Sequence, residues 1–319
     1  MNRLAFIFPG QGSQYIGMGK ELAETYPEAR RVFLRADEIL EFNLSSLIFF
    51  GNPEILQRTE ITQPAILATS IACLAVLEKH RIRPWAVAGL SLGEYAALVA
   101  AGCLSFEDAL PLVQKRGIYM QEAVTRGKGA MVAIIGLKRE IIKELCKEGR
   151  GYGIVEPANF NSPNQVVISG EKHAVEKTAA LCKKAGAKGV IPLKVSAPFH
   201  CSMLAGVEEK LAKELDRIRI KSARIAVLAN VSGSYVHQPA EIRRALIKQV
   251  SHPILWEDTI KRLLRDGVDT FFEVGPGKVL TGLIKQFGDT AVAFPVGERE
   301  GMEAGLAYLE EGYGNAVER

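Results

Sequence analysis

The chain has 319 residues, 48% hydrophobic and 24% charged, which suits one large core with room for a smaller appended domain. Its 40 Lys and Arg against 36 Asp and Glu leave a net charge of +4, with no dense basic run, so nucleic acid is not an expected partner. No unbroken apolar run approaches the ~18 residues that span a bilayer, and the apolar run at the N-terminus is too short for a signal peptide. Five scattered cysteines (Cys73, Cys103, Cys146, Cys182, Cys201) lack C-x-x-C spacing. Free thiols in a cytoplasmic protein, without a metal site, are expected from them.

Strand-like and helix-like patterns alternate from the start, the signature of a mostly parallel α/β sheet. Leu4–Phe8 reads as a buried strand running into a glycine-rich loop, Pro9-Gly10-Gln11-Gly12-Ser13-Gln14. Helical patterns follow near 17–40 and 62–80, a strand at 85–89, then helices at 94–101 and 106–124. The middle segment changes character. Strands at 129–135, 153–159, 165–169 and 190–195 enclose helices at 138–148 and 171–185. This β-α-β-β-α-β order is ferredoxin-like. Residues 126–197 are therefore expected as a subdomain inserted into an α/β hydrolase-like domain made of 1–125 and 198–319. The larger domain resumes with a helix near 203–217, a strand at 226–230, helices near 240–250 and 256–266, and a strand at 270–274. A helical tail from about 300 ends in a Gly-rich, charged, frayed segment.

Gly89-Leu90-Ser91-Leu92-Gly93 stands between the strand at 85–89 and a helical run, the strand–turn–helix context of a G-x-S-x-G nucleophile elbow. Glycines flank the serine because the turn is too tight for side chains. The helix that follows aims its N-terminal amides at negative charge developing on a substrate carbonyl. Ser91 is thus the candidate nucleophile.

A serine needs a base, and the chain holds five histidines. His80 closes a helix among charged residues, and His173 lies in the first turn of a subdomain helix. His237 falls in a polar turn (Ser234–Pro239), and His252 precedes Pro253 in a loop. His200, in Pro198-Phe199-His200-Cys201, lies where the subdomain hands the chain back to the larger domain. Clefts form at such junctions, which favours it over the other four without excluding them. Between Ser91 and His200 no carboxylate occupies an obvious post-strand loop, which speaks against an ordinary hydrolase triad; a carbonyl can orient an imidazole instead.

Taken together, the motifs resemble those of the malonyl-CoA:acyl carrier protein transacylases over nearly the whole chain. Phe8–Gln14, Thr62-Gln63-Pro64-Ala65, Gly89–Glu94, Gln114-Lys115-Arg116-Gly117, Asn159–Pro163, Pro198–Cys201 and Phe272–Gly277 carry the likeness in order. The family usually has histidine where this chain has Leu90, a change expected to alter packing and not chemistry. The resemblance implies a malonyl-Ser91 ester formed with His200 as base, and an oxyanion held by the N–H groups of Gln11 and Leu92. It implies Arg116 as the malonyl-carboxylate ligand, Phe199 as a steric gate favouring malonyl over methylmalonyl, and the Gln249 carbonyl as the histidine's orienting group. Asn159 is a further substrate-binding candidate and Gln63 a more distant one. The implied donor is malonyl-CoA and the acceptor the phosphopantetheine thiol of acyl carrier protein, with no cofactor of the enzyme's own, and a monomer is expected. A polyketide-pathway acyltransferase and, with less support, a serine thioesterase or esterase remain alternatives. Basic residues such as Lys115, Lys188 and Lys194 lie near motif segments, but nothing marks them off from ordinary solvated lysines.

Overall fold

The computed structural model describes residues 3–317 except 126, 194, 196 and 290, with side chains described up to residue 311. Among the described residues, ten strands form two sheets: β1 (Arg3–Phe8), β2 (Ala86–Gly89), β3 (Gly129–Ile135), β4 (Val155–Ser162), β5 (Gln165–Glu171), β6 (Gly189–Pro192), β7 (Ala226–Ala229), β8 (Ser234–Val236), β9 (Val268–Glu273) and β10 (Val292–Pro295). The larger sheet runs β10-β9-β1-β2-β7-β8 and is parallel except for the final β7–β8 hairpin.

Its central strands are covered on both sides, so they read as near-continuous apolar runs. Alternation still sorts the faces. Leu4, Phe6, Phe8 and Val87 join one core with the long helices, while Ala5, Ile7, Ala86 and Ala88 join another with Trp256, Ile260 and Leu263. Phe6 lies opposite Phe272 in the β1–β9 register, and their rings stack with centroids 6.1 Å apart.

The second sheet, β4-β5-β3-β6, is antiparallel, with helices Arg139–Gly149 and Lys172–Lys184 completing the ferredoxin-like order. One face, with Val132, Ile134, Val166 and Ile168, packs on those helices as a small core of its own. The other, with Met131, Ala133, Ala158 and Val167, joins the main core. The antiparallel sheet is thereby fastened to the main core. Arg126, Lys194 and Ser196 lie outside the described residues.

Some elements differ from the expected ones. The helical stretch near 17–40 is two helices, Lys20–Thr25 and Pro27–Leu40, because Tyr26 precedes a proline and adopts an extended conformation (φ −114°, ψ 115°). Ser234–Val236 is an edge strand paired with β7 where a polar turn was expected. Short helices at Leu44–Phe50, Pro53–Leu56 and Val279–Ile284, and the edge strand β10, had no counterpart in the expected elements. The terminal helix Arg299–Val317 continues through the Gly-rich segment. Helix Thr59–Lys79 is long and apolar enough, by length and composition, to cross a membrane, which a search for unbroken apolar runs passes over. Most of it is buried here, against helices Pro27–Leu40 and Phe106–Glu122 among others.

Candidate active site

Register places the site. Phe8 pairs with Gly89, so the loop after β1 and the elbow after β2 emerge side by side at the carboxyl ends of neighbouring parallel strands. Backbones touch there. A Cβ on Gly93 would lie 2.0 Å from the Phe8 carbonyl oxygen, and one on Gly89 would lie 1.9 Å from Gly93 itself. Gly10 serves close approach as well, since its Cβ would meet the Leu90 carbonyl oxygen at 2.5 Å. At Gly12, by contrast, nothing lies within 4 Å of a Cβ, and its φ of +106° is what calls for glycine.

Ser91 sits at φ 54°, in the left-handed region that non-glycine residues rarely adopt. The Asn230 side chain, just past the end of β7, holds it in this conformation. Asn230 Oδ1 accepts from Ser91 N at 2.6 Å, and Nδ2 donates to the Gly89 carbonyl at 2.7 Å.

His200 also has a left-handed backbone (φ 59°) and is buried. Its Nε2 lies 2.8 Å from Ser91 Oγ, and its Nδ1 lies 2.8 Å from the Gln249 carbonyl oxygen. A carbonyl can only accept, so Nδ1 carries the proton and Nε2 presents its lone pair to the serine hydroxyl. Gln249 ends helix Pro239–Gln249, where main-chain carbonyls lack intrahelical partners and the helix dipole is negative. The partner of Nδ1 is thus a main-chain carbonyl at a helix end and not a carboxylate. Burial, and next the Arg116 cation, push the imidazole down to about 3, so it is neutral at ordinary pH.

Arg116 lies inside helix Phe106–Glu122, which packs closely on helix Thr59–Lys79; a Cβ on Gly117 would meet the Thr59 carbonyl at 2.7 Å. Arg116 is 1% exposed. Nη1 donates to Gln63 Oε1 at 2.8 Å, and Nη2 donates to Gln249 Oε1 at 2.8 Å and Ser91 Oγ at 3.2 Å. Among the described residues no carboxylate forms an ion pair with it within 4 Å. Burial holds its pKa below the usual arginine value. A buried cation beside Ser91 with only neutral partners suits an anionic substrate group.

The other expected residues fall as follows. Among the described residues the Gln11 and Leu92 main-chain N–H groups have no hydrogen-bond acceptor, and Leu92 immediately precedes helix Gly93–Ala100. Phe199 is buried in the main core next to His200. Asn159 is buried on β4 beside Ile254, and no hydrogen bond joins its side chain to Ser91, His200 or Arg116. Asn161 bonds Gln165 across the β4–β5 turn. Leu90 packs toward the Trp256 core. His80, His173, His237 and His252 are exposed, and Lys115 pairs with Glu214 at 2.7 Å. All five cysteines are buried and unpaired, and among the described residues no three His, Cys, Asp or Glu side chains group as metal ligands.

Comparison with known proteins identifies the family. The family model for the acyl transferase domain matches residues 5–302. The malonyl CoA-acyl carrier protein transacylase of Bacillus subtilis is 48% identical over 317 residues, covering 99% of this chain and all of that protein. The chain belongs to the malonyl CoA-acyl carrier protein transacylase family. A transacylase of that name from Clostridium perfringens superposes with a TM-score of 0.96 at 42% identity, covering 99% of both chains. Another solved relative, a malonyl-transacylase in complex with a type II PKS acyl-carrier protein, has a TM-score of 0.94 at 42% identity, covering 96% of this chain and 100% of that one.

Three transacylase residues of this site escaped or were undervalued by sequence reasoning. Asn230 reads from the sequence as the last residue of a strand, yet its side chain pins the elbow. Glu94 is a lone charge in an otherwise apolar helix, the signal that could have exposed it. It is buried, and its Oε2 accepts from Asn230 N at 3.2 Å and Gln249 Nε2 at 2.7 Å. Burial raises its carboxyl to about 7, against those hydrogen bonds and Arg116. Gln63, the more distant candidate, touches Arg116 directly.

Proposed function

We infer that this chain is an acyltransferase that moves the malonyl group from malonyl-CoA to the phosphopantetheine thiol of acyl carrier protein, and we propose that it does so through a malonyl ester of Ser91. The observation that carries the mechanism is the contact of one hydroxyl with two groups: Ser91 Oγ meets His200 Nε2 at 2.8 Å and Arg116 Nη2 at 3.2 Å. His200 takes the proton as Oγ attacks the thioester carbonyl. The developing oxyanion is received by Gln11 N–H and Leu92 N–H; removing one such donor costs on the order of 3 kcal/mol of transition-state stabilisation. The imidazolium is held by the Gln249 carbonyl at the helix end. Collapse expels the coenzyme A thiolate, which takes the proton from His200. The carrier thiol then gives its proton to His200 and attacks the ester, restoring Ser91 in a ping-pong cycle.

Arg116 selects the acyl group. From Oγ the acyl carbonyl, methylene and carboxylate carbons follow in three bonds, a reach of roughly 4 Å. That brings the free carboxylate to the guanidinium, whose planar fork matches it. Phe199, adjacent to His200 in the chain, is the residue we assign to disfavouring a branched acyl group. Acyl transfer through a serine ester needs a nucleophile, a base and oxyanion donors, so the reaction proceeds without a cofactor. We place it in the cytoplasm, in fatty acid synthesis, acting as a monomer. The relative solved with a polyketide carrier protein supports a second reading, supply of malonyl groups to a polyketide carrier. Incubation with malonyl-CoA and each carrier protein separates them, and faster transfer to the fatty-acid carrier is expected. Rapid release of free malonate without any carrier would show a thioesterase instead.

A further inference from the structure

The Gln249 side chain is the hub on which the rest of the site depends. Its amide has two N–H donors and one carbonyl acceptor. Nε2 donates to the Ser91 carbonyl at 2.8 Å and to Glu94 Oε2 at 2.7 Å, which leaves Oε1 to accept from Arg116 Nη2 at 2.8 Å. Turned over, the amide would set N–H against the guanidinium and an oxygen against two acceptors. Glu94 makes that alternative unfavourable, because its carboxyl oxygen faces Nε2 from a buried position. The same oxygen accepts from Asn230 N, so Glu94 also steadies the residue that pins the elbow.

We propose that Glu94 is a positioning residue that fixes the amide orientation of Gln249, and through it the pose of Arg116, so setting selection of malonyl over acetyl groups. This rests on the reading of Arg116 as the ligand of the malonyl carboxylate. Glu94 touches no substrate atom. Its effect is therefore on the ratio of two substrates, whereas a residue that only supports the fold changes both rates together.

The test compares initial rates of acyl-enzyme formation with malonyl-CoA and with acetyl-CoA, read by intact-protein mass. A ratio taken on one protein sample does not depend on how much of it is folded. Glu94→Leu is expected to lower the malonyl-to-acetyl ratio at least tenfold. Glu94→Gln keeps an acceptor oxygen for Gln249, and its ratio should stay within about threefold of the unaltered protein. Gln249→Met, which leaves the main-chain carbonyl for His200, should match Glu94→Leu, and the double variant should fall no further than Gln249→Met alone. Arg116→Ala separates the two levels of the claim. An unchanged ratio in Arg116→Ala overturns the reading of Arg116 and the proposal with it. A ratio that collapses in Arg116→Ala but holds in Gln249→Met, or in a folded Glu94→Leu, overturns the role of Glu94 alone. Should Glu94→Leu fail to fold, loss in Gln249→Met with retention in Glu94→Gln supports the proposal, and loss in Glu94→Gln contradicts it.

Discussion

Replacing Arg116 by alanine removes a cation that is almost wholly enclosed and within 3.2 Å of Ser91 Oγ. The malonyl carboxylate would then be buried with no counter-charge. Removing one partner of a buried ion pair costs about 3–5 kcal/mol, or roughly two to three and a half orders of magnitude in kcat/KM for malonyl transfer. Acetyl-CoA has no carboxylate to strand, so its kcat/KM should fall far less and selectivity should collapse. Gln63 Oε1 and Gln249 Oε1 would lose their donor, each unsatisfied buried acceptor costing about 1–3 kcal/mol of stability. For that reason the decisive quantity is the substrate ratio and not the absolute rate. Arg116→Lys keeps a charge without the fork and should restore only part of the ratio. Steady-state kinetics with both thioesters is the assay. A malonyl-to-acetyl ratio unchanged by Arg116→Ala would refute the reasoning.

The base makes a prediction in pH. Burial and then Arg116 hold His200 at about 3, below its ordinary 6.5, so the neutral form needed for catalysis persists as pH falls through 6.5. A profile of kcat/KM should show no acid limb near that value, and Arg116→Ala, which removes a neighbouring cation, should move the limb upward. Gly93→Ala drives a methyl group to 2.0 Å from the Phe8 carbonyl oxygen, where only main chain could yield. It should cost about 3 kcal/mol or more, read as a lowered melting temperature. Glu273, in the Phe272–Gly277 motif, accepts from Leu280 N at 2.9 Å and from Thr281 N and Oγ1 at 2.7 Å, anchoring helix Val279–Ile284. Glu273→Ala strands two buried amides and should cost roughly 2–5 kcal/mol of stability in chemical denaturation, with transfer per folded molecule nearly unchanged.

What could be read from the sequence was what local pattern encodes. The elbow, the glycine loop and β3 carry their geometry in adjacent residues, and β3 spans 129–135 as its apolar run predicts. His200 could be found because only five histidines competed and one lay at a junction. Asn230 and Glu94 were harder, since their meaning lies in partners about 140 residues away that only the parallel order β1-β2-β7 brings together. The left-handed backbone of His200 has no glycine to announce it. Edge strands β8 and β10, three and four residues long, are too short for alternation to show. Pro27 carries the signal for the break at Tyr26, since the residue before a proline avoids the helical region, but a helical pattern read across 17–40 passes over it.

The central claim is that the malonyl group rests on Ser91 between two thiols. Mixing the protein with malonyl-CoA in the absence of carrier protein, followed by intact mass and peptide mapping, tests it directly. One malonyl group should appear on Ser91, be discharged by phosphopantetheinylated carrier protein, and be absent from Ser91→Ala. A protein that forms malonyl-carrier with no adduct on Ser91, or with the adduct elsewhere, would contradict it.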